Sequence, residues 1–96
     1  MNTKTTNNGN SEPVLFELGS VQVSALAAGK VADHGIRDAI ARHERGDFGR
    51  VGLPSRIIYR QVIRASRGSI MSLYDAASGA EFAVVTDLNK GTTGFR

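Results

Sequence analysis

The chain has 96 residues, 41% hydrophobic and 22% charged, with 12 Lys and Arg against 9 Asp and Glu for a net charge of +3. That length accommodates one small domain, and the composition excludes a wholly disordered or fibrous chain. Cysteine is absent, which removes disulfides, thiolate metal sites and a cysteine nucleophile together and fits a reducing, cytoplasmic setting. No apolar run approaches the ~18 residues of a membrane span, and the first residues lack the apolar stretch of a secretory signal.

Residues 1–13 (MNTKTTNNGNSEP) hold no large apolar residue after the first Met, so nothing there offsets the entropy of ordering. A disordered N-terminal arm is expected, followed by one domain over residues 14–96. Val21 and Val23 alternate with Ser20, Gln22 and Ser24, as in a half-buried edge strand broken or bulged at Gly19. Ser24 is placed to cap a short helix over Ala25–Asp33, with Gly35 as a stop, and a second helix is expected over Ile36–Glu44. Gly46, Gly49 and Gly52 make the next ten residues a loop, tethered to the core by Phe48 and Val51.

Arg56–Arg67 then gives the clearest helical pattern. Arg56, Arg60, Arg64 and Arg67 fall inside an arc of roughly 80° at helical spacing, with Ile58, Tyr59, Val62 and Ile63 around much of the rest. Beyond Gly68, Ser69–Tyr74 and Glu81–Asp87 flank turn residues and are expected to pair as an antiparallel hairpin, with a third short strand at Thr92–Phe95. The expected architecture is α+β: two short helices and one amphipathic helix packed on a small antiparallel β-sheet with a C-terminal hairpin.

Three segments carry a likeness: Leu15-Phe16-Glu17-Leu18-Gly19-Ser20-Val21, Arg42-His43-Glu44-Arg45-Gly46-Asp47-Phe48-Gly49, and Val84-Val85-Thr86-Asp87 with Thr92-Thr93. Over about Val14–Phe95 the chain resembles a family of small "plasmid-related" proteins encoded on bacterial plasmids and integrative elements. Some members bear the label of a type I restriction enzyme modification subunit. Phe48 stands where the family usually has Trp, Val51–Ser55 and the basic helix replace an acidic stretch, and Asp87-Leu88-Asn89-Lys90 replaces Glu-Ala-Asp-Arg. The modification label does not carry over. A base-flipping modification subunit needs a much longer cofactor fold and an Asn/Asp-Pro-Pro-aromatic motif, whereas Pro13 and Pro54 are isolated. The resemblance implies a fold and a mobile-element setting, and no activity.

His43 and Asp47 stand four apart, the spacing at which a carboxylate orients an imidazole on a helix. The competing reading is turn chemistry, with His43 at the last helical carbonyls and Asp47 bonding the Gly-rich turn. No G-x-S-x-G elbow accompanies the pair, so turn chemistry is expected. His34 and His43, nine apart, match no compact zinc spacing even with Asp33 and Asp38 nearby. Gly46–Gly49 and Gly91–Gly94 lack the lysine and hydroxyl of a phosphate loop, and Arg45-Gly46-Asp47 is a short adhesion-like match of no weight. No enzyme activity, metal or cofactor is expected.

Charge is concentrated in one strip. Arg50, Arg56, Arg60, Arg64 and Arg67 occupy the eighteen residues of Arg50–Arg67 without a single acid. Like charges four apart on a helix cost a few tenths of a kcal/mol per pair, roughly, and need an offset. The offset is either pairing with Asp33, Asp38, Glu44 or Asp47, or solvation, or an external polyanion. These five arginines are the candidate partner-binding residues. The expected function is that of a mobile-element accessory protein, a counter-defence inhibitor of anti-CRISPR or anti-restriction type that binds a host protein or nucleoprotein complex through the basic helix. The alternative is a weak, sequence-nonspecific nucleic-acid-binding module, with Tyr59 or Tyr74 stacking a base. Membrane partners are not expected, and an unpaired edge at Val14–Val23 or Thr92–Phe95 would allow self-association.

Overall fold

The computed structural model describes residues 13–96. The expected N-terminal arm, Pro13 apart, lies outside the described residues. In chain order the elements are β1 (Ser20–Gln22), α1 (Ala25–Lys30), α2 (Asp33–Glu44), α3 (Leu53–Ala65), β2 (Ser69–Asp75), β3 (Glu81–Asp87) and β4 (Thr92–Phe95). The fold is α+β, with three helices and a four-stranded sheet in the order β1-β4-β3-β2. The hairpin is antiparallel in the register Ile70 to Thr86 and Tyr74 to Phe82, and β4 adds antiparallel with Thr86 opposite Thr93.

One pairing departs from the expected antiparallel sheet. β1 runs parallel to β4, Val21 lying opposite Thr93, so the sheet is mixed. The cause is the path of the chain: α1, α2, α3 and the hairpin all intervene between the two strands, which leaves a crossover rather than a turn. The alternation around Val21 and Val23 reads as half-buried, yet both side chains are 40% exposed because β1 is three residues long and lies at the sheet edge.

The helices form where local chemistry permits. Ser24 caps α1, its Oγ accepting from the Ala27 N–H at 3.1 Å, as its position requires. Gly35 does not stop a helix. The break falls at Val31 and Ala32, both in extended backbone, and Gly35 sits inside the first turn of α2 with the buried Val31 against it. α3 begins three residues earlier than its polar-apolar pattern because Pro54, in the first turn, fits where no N–H is needed. It ends at Ala65, with Ser66 in left-handed backbone (φ 56°), so Arg67 lies beyond the helix.

One sheet face carries Ile70, Ser72 and Tyr74 of β2, Phe82, Val84 and Thr86 of β3, and Thr93 and Phe95 of β4, all buried. The helices cover this face in two clusters. Ala27, Ile36 and Ala39 of the first two helices, with Val31 from the break between them, pack on Tyr74, Phe82, Val84 and Phe95. Tyr59 of α3, with Phe16, Phe48 and Val51, packs around Ile70. Phe48 and Val51 tether their loop to the core as expected, at 5% and 8% exposure.

The free edge of β2 is closed without another strand. Leu73 donates to the Phe48 carbonyl at 3.1 Å and accepts from the Arg50 N–H at 2.9 Å. The Tyr59 hydroxyl donates to the Met71 carbonyl at 3.0 Å and accepts from the Met71 N–H at 3.1 Å. That approach needs Gly49: its φ is +66°, and a Cβ there would lie 1.9 Å from the Leu73 carbonyl oxygen. Gly49→Ala is therefore expected to destabilise the fold by more than the ~1–2 kcal/mol of left-handed backbone alone. Gly29→Ala, inside α1 with open space around it, is expected to stabilise by about 0.5–1 kcal/mol. Urea midpoints of the two variants check both signs.

Candidate functional site

The most distinctive block, Arg42–Gly49, closes α2 and enters the loop that guards the sheet edge. His43 lies on the buried side of α2 and is fully buried. It does not meet the last helical carbonyls; its ring reaches into the sheet, where Nδ1 lies 2.5 Å from Ser72 Oγ and Nε2 2.9 Å from Thr86 Oγ1. Thr86 Oγ1 is 2.7 Å from Thr93 Oγ1, which in turn donates to the Leu18 carbonyl at 2.7 Å. Phe16 and Phe48 present edge-on contacts to the imidazole, with centroids 5.1 Å and 6.3 Å away.

The carbonyl end fixes the direction of this chain. Leu18 O can only accept, so Thr93 spends its proton there and must accept from Thr86. Thr86 then accepts from His43 Nε2–H, which leaves Nδ1 of a neutral ring to accept from the Ser72 hydroxyl. Burial pushes the His43 pKa down to about 4, so the ring is neutral at pH 7. Among the described residues no carboxylate is hydrogen-bonded to it. The spacing of His43 and Asp47 produces no dyad.

Asp47 performs the expected turn chemistry. Its Oδ1 accepts from the Gly49 N–H at 3.2 Å, and its Oδ2 accepts from Arg42 Nε at 2.8 Å. The Arg42 hydrogen bond holds the Asp47 pKa below the usual carboxylate range. Arg42 also lies over the Tyr74 ring, 4.5 Å from its centroid, while the Tyr74 hydroxyl donates to the Asp47 carbonyl at 2.5 Å. Burial raises the Tyr74 pKa to about 12. Tyr59 and Tyr74 are 9% and 3% exposed and hold backbone groups, so neither forms a base-stacking platform. Among the described residues, no three His, Asp or Glu side chains gather in a metal-binding group.

The candidate arginines divide into two sets. Arg50 turns away from α3 and pairs with Asp75 at 3.2 Å and with Glu81, fastening the loop to the hairpin ends. Arg56 turns inward: Nε donates to the Val51 carbonyl at 3.0 Å and Nη2 to the Gly49 carbonyl at 2.8 Å. Arg56 thus leaves the expected ridge for the loop carbonyls, and Arg50, expected beside the ridge, is drawn to the hairpin's carboxylates. Arg60 and Arg64 remain exposed on α3, and Arg67 is exposed past its end. Among the described residues none of these three forms an ion pair.

Arg60 and Arg64 do not stand alone. At about 100° per residue, Arg60, Leu53, Arg64 and Ile57 fall in that order within roughly 60° of the outer face of α3. Leu53 is 68% exposed and Ile57 54%; Ile58, about 100° further round the helix, is 57% exposed. Ile58, grouped by its spacing with Tyr59, Val62 and Ile63, is exposed; the inner face is Tyr59, Val62 and Ile63. The signal for the mixed outer face was present in the i, i+4 spacing of Leu53 and Ile57. Comparison with protein-family models, with curated proteins and with solved structures returns no match.

A neutral buried His43 makes stability depend on pH with a definite sign. Its folded pKa lies below the ordinary 6.5, so its contribution is complete above about pH 6.5 and declines as pH falls toward 4. The loss is about 3 kcal/mol in that window, at ~1.4 kcal/mol per unit. The Asp47–Arg42 pair acts in a lower window, where its carboxylate protonates. Urea unfolding as a function of pH should show the His43 slope in the wild type and a flat profile over the same range in His43→Gln.

Proposed function

We propose that this chain is a non-enzymatic binding protein whose outer α3 face docks on an acidic surface of a host complex. The observation that carries the reading is the outer face of α3, where Arg60 and Arg64 alternate with exposed Leu53 and Ile57. Arginines interleaved with aliphatic side chains suit a protein interface, which has an apolar centre and charge-paired rim. A phosphate backbone gains nothing from Leu53 and Ile57, and the stacking residues that a single strand would need are buried. Both observations favour a protein target over nonspecific nucleic acid.

The likeness of Leu15–Val21 and Arg42–Gly49 to the plasmid-related family supplies the setting. In this reading the protein serves a plasmid or integrative element in the cytoplasm and blocks a restriction or CRISPR-type complex by occupying a surface that the complex needs. That no helix among the described residues is long and apolar enough to cross a membrane is consistent with such a place of action. The block Arg42–Gly49 then acts as the frame: its histidine, aspartate and glycines are spent on folding, and recognition falls to the neighbouring helix.

The double reversal Arg60→Glu/Arg64→Glu should leave stability within about 0.5 kcal/mol, since both side chains are exposed and unpaired among the described residues. Capture of the host complex from lysate by tagged protein should be abolished. Full-strength capture by the double variant contradicts the reading. Arg56→Ala is the contrasting case, expected to cost about 1–3 kcal/mol because two loop carbonyls lose a charged donor.

A further inference from the structure

Beside the exposed face of α3 lies a groove of about 320 Å³. One wall is Leu15, whose N–H donates to the Glu44 carbonyl at 2.7 Å and so fixes residues 14–18, an N-terminal strap, against the end of α2. Leu15 lies over Gly46, where a Cβ would come within 2.6 Å of Leu15 Cδ1. The floor is Phe48, Tyr59 and Ile63, the two rings meeting edge-on at 5.0 Å. The opposite wall is Leu53 and Ile57, both more than half exposed. The space is at the small end for ligand sites, enough for one large side chain with short flanks.

Charge distinguishes this groove from its neighbours. Arg45, Arg56 and Arg60 line it, and no acidic residue does. Four other clefts each include a carboxylate: Asp38 and Asp75, Glu17, Asp47 and Asp75, or Asp33. Arg56 is occupied by the Val51 and Gly49 carbonyls, which leaves Arg45 and Arg60 as the two rim cations. An apolar floor between two guanidiniums that form no ion pair among the described residues complements a segment with an apolar residue between carboxylates.

We propose that this groove holds a large apolar side chain from an acidic protein segment, with flanking carboxylates pairing to Arg45 and Arg60. The proposal rests on α3 being the contact helix and names the chemistry of what it contacts. The bound segment is extended or turn-like at the anchor, because a space of about 320 Å³ takes one large side chain with short flanks and not the face of a helix. Arg64, one turn beyond Arg60, would meet carboxylates further along the same segment.

The test is fluorescence anisotropy with the full chain and a fluorescein-labelled peptide carrying one Phe flanked on each side by Glu residues. Controls are the same peptide with Phe→Ala, the same with Glu→Lys, and labelled oligodeoxythymidine. The expected result is saturable binding of the Glu-Phe-Glu peptide, weakened about tenfold or more by Phe→Ala, by Arg60→Glu and by Ile57→Glu in folded variants. Equal affinity for the Ala peptide, preference for oligodeoxythymidine, or no binding up to about 1 mM overturns it. Loss of peptide binding with host capture still dependent on Arg60 and Arg64 removes the groove alone. Peptide binding without any host capture removes the counter-defence reading and keeps the groove.

Discussion

A neutral imidazole at the centre of the molecule organises everything else. His43 joins α2 to β2 through Ser72 and to β3 through Thr86, and the hydroxyl chain continues to β4 at Thr93 and to the N-terminal strap at Leu18. Each member has its partner, which is the condition on which a buried polar chain stabilises rather than weakens a core. Leaving any one member unpaired would cost about 1–3 kcal/mol. The chain also separates the two apolar clusters on the same sheet face, so it sets which side chains belong to which half.

From that frame the arginines acquire different duties. Arg42 clamps Asp47 and lies over Tyr74; Arg50 fastens the loop to the hairpin; Arg56 satisfies two loop carbonyls. These cations close the loop after α2 onto the sheet edge, where Gly49 and Tyr59 complete the job that a fifth strand would otherwise do. With those duties filled, the outer face of α3 is left without a folding task. Arg60, Arg64, Leu53 and Ile57 are exposed there, and they are the residues that the proposed docking would use.

Much of this was legible in the sequence, and the failures have physical causes. The Ser24 cap, the hairpin register region, the Asp47 turn and the Phe48 and Val51 tethers follow from local chemistry and were readable one element at a time. The parallel pairing of β1 was not, because it joins residues about seventy positions apart and leaves no local trace. Arg56 leaves the expected ridge for a related reason. Spacing places Arg56 with Arg60 and Arg64, but it does not reveal that two carbonyls of the preceding loop lie within reach of the first guanidinium. His43 reads as a helix end from its neighbours, and only the arrival of Ser72 and Thr86 from the hairpin turns it inward.

The central claim is that His43 is a structural, uncharged member of a one-way hydrogen-bond chain, which assigns the Arg42–Gly49 block to the frame and leaves recognition to α3. Long-range 1H–15N correlation of the imidazole ring tests it directly. The account requires a single protonated nitrogen, Nε2, with the ring still neutral at about pH 5.5, below the ordinary histidine value. A ring protonated on both nitrogens at that pH, or one carrying its proton on Nδ1, would contradict it.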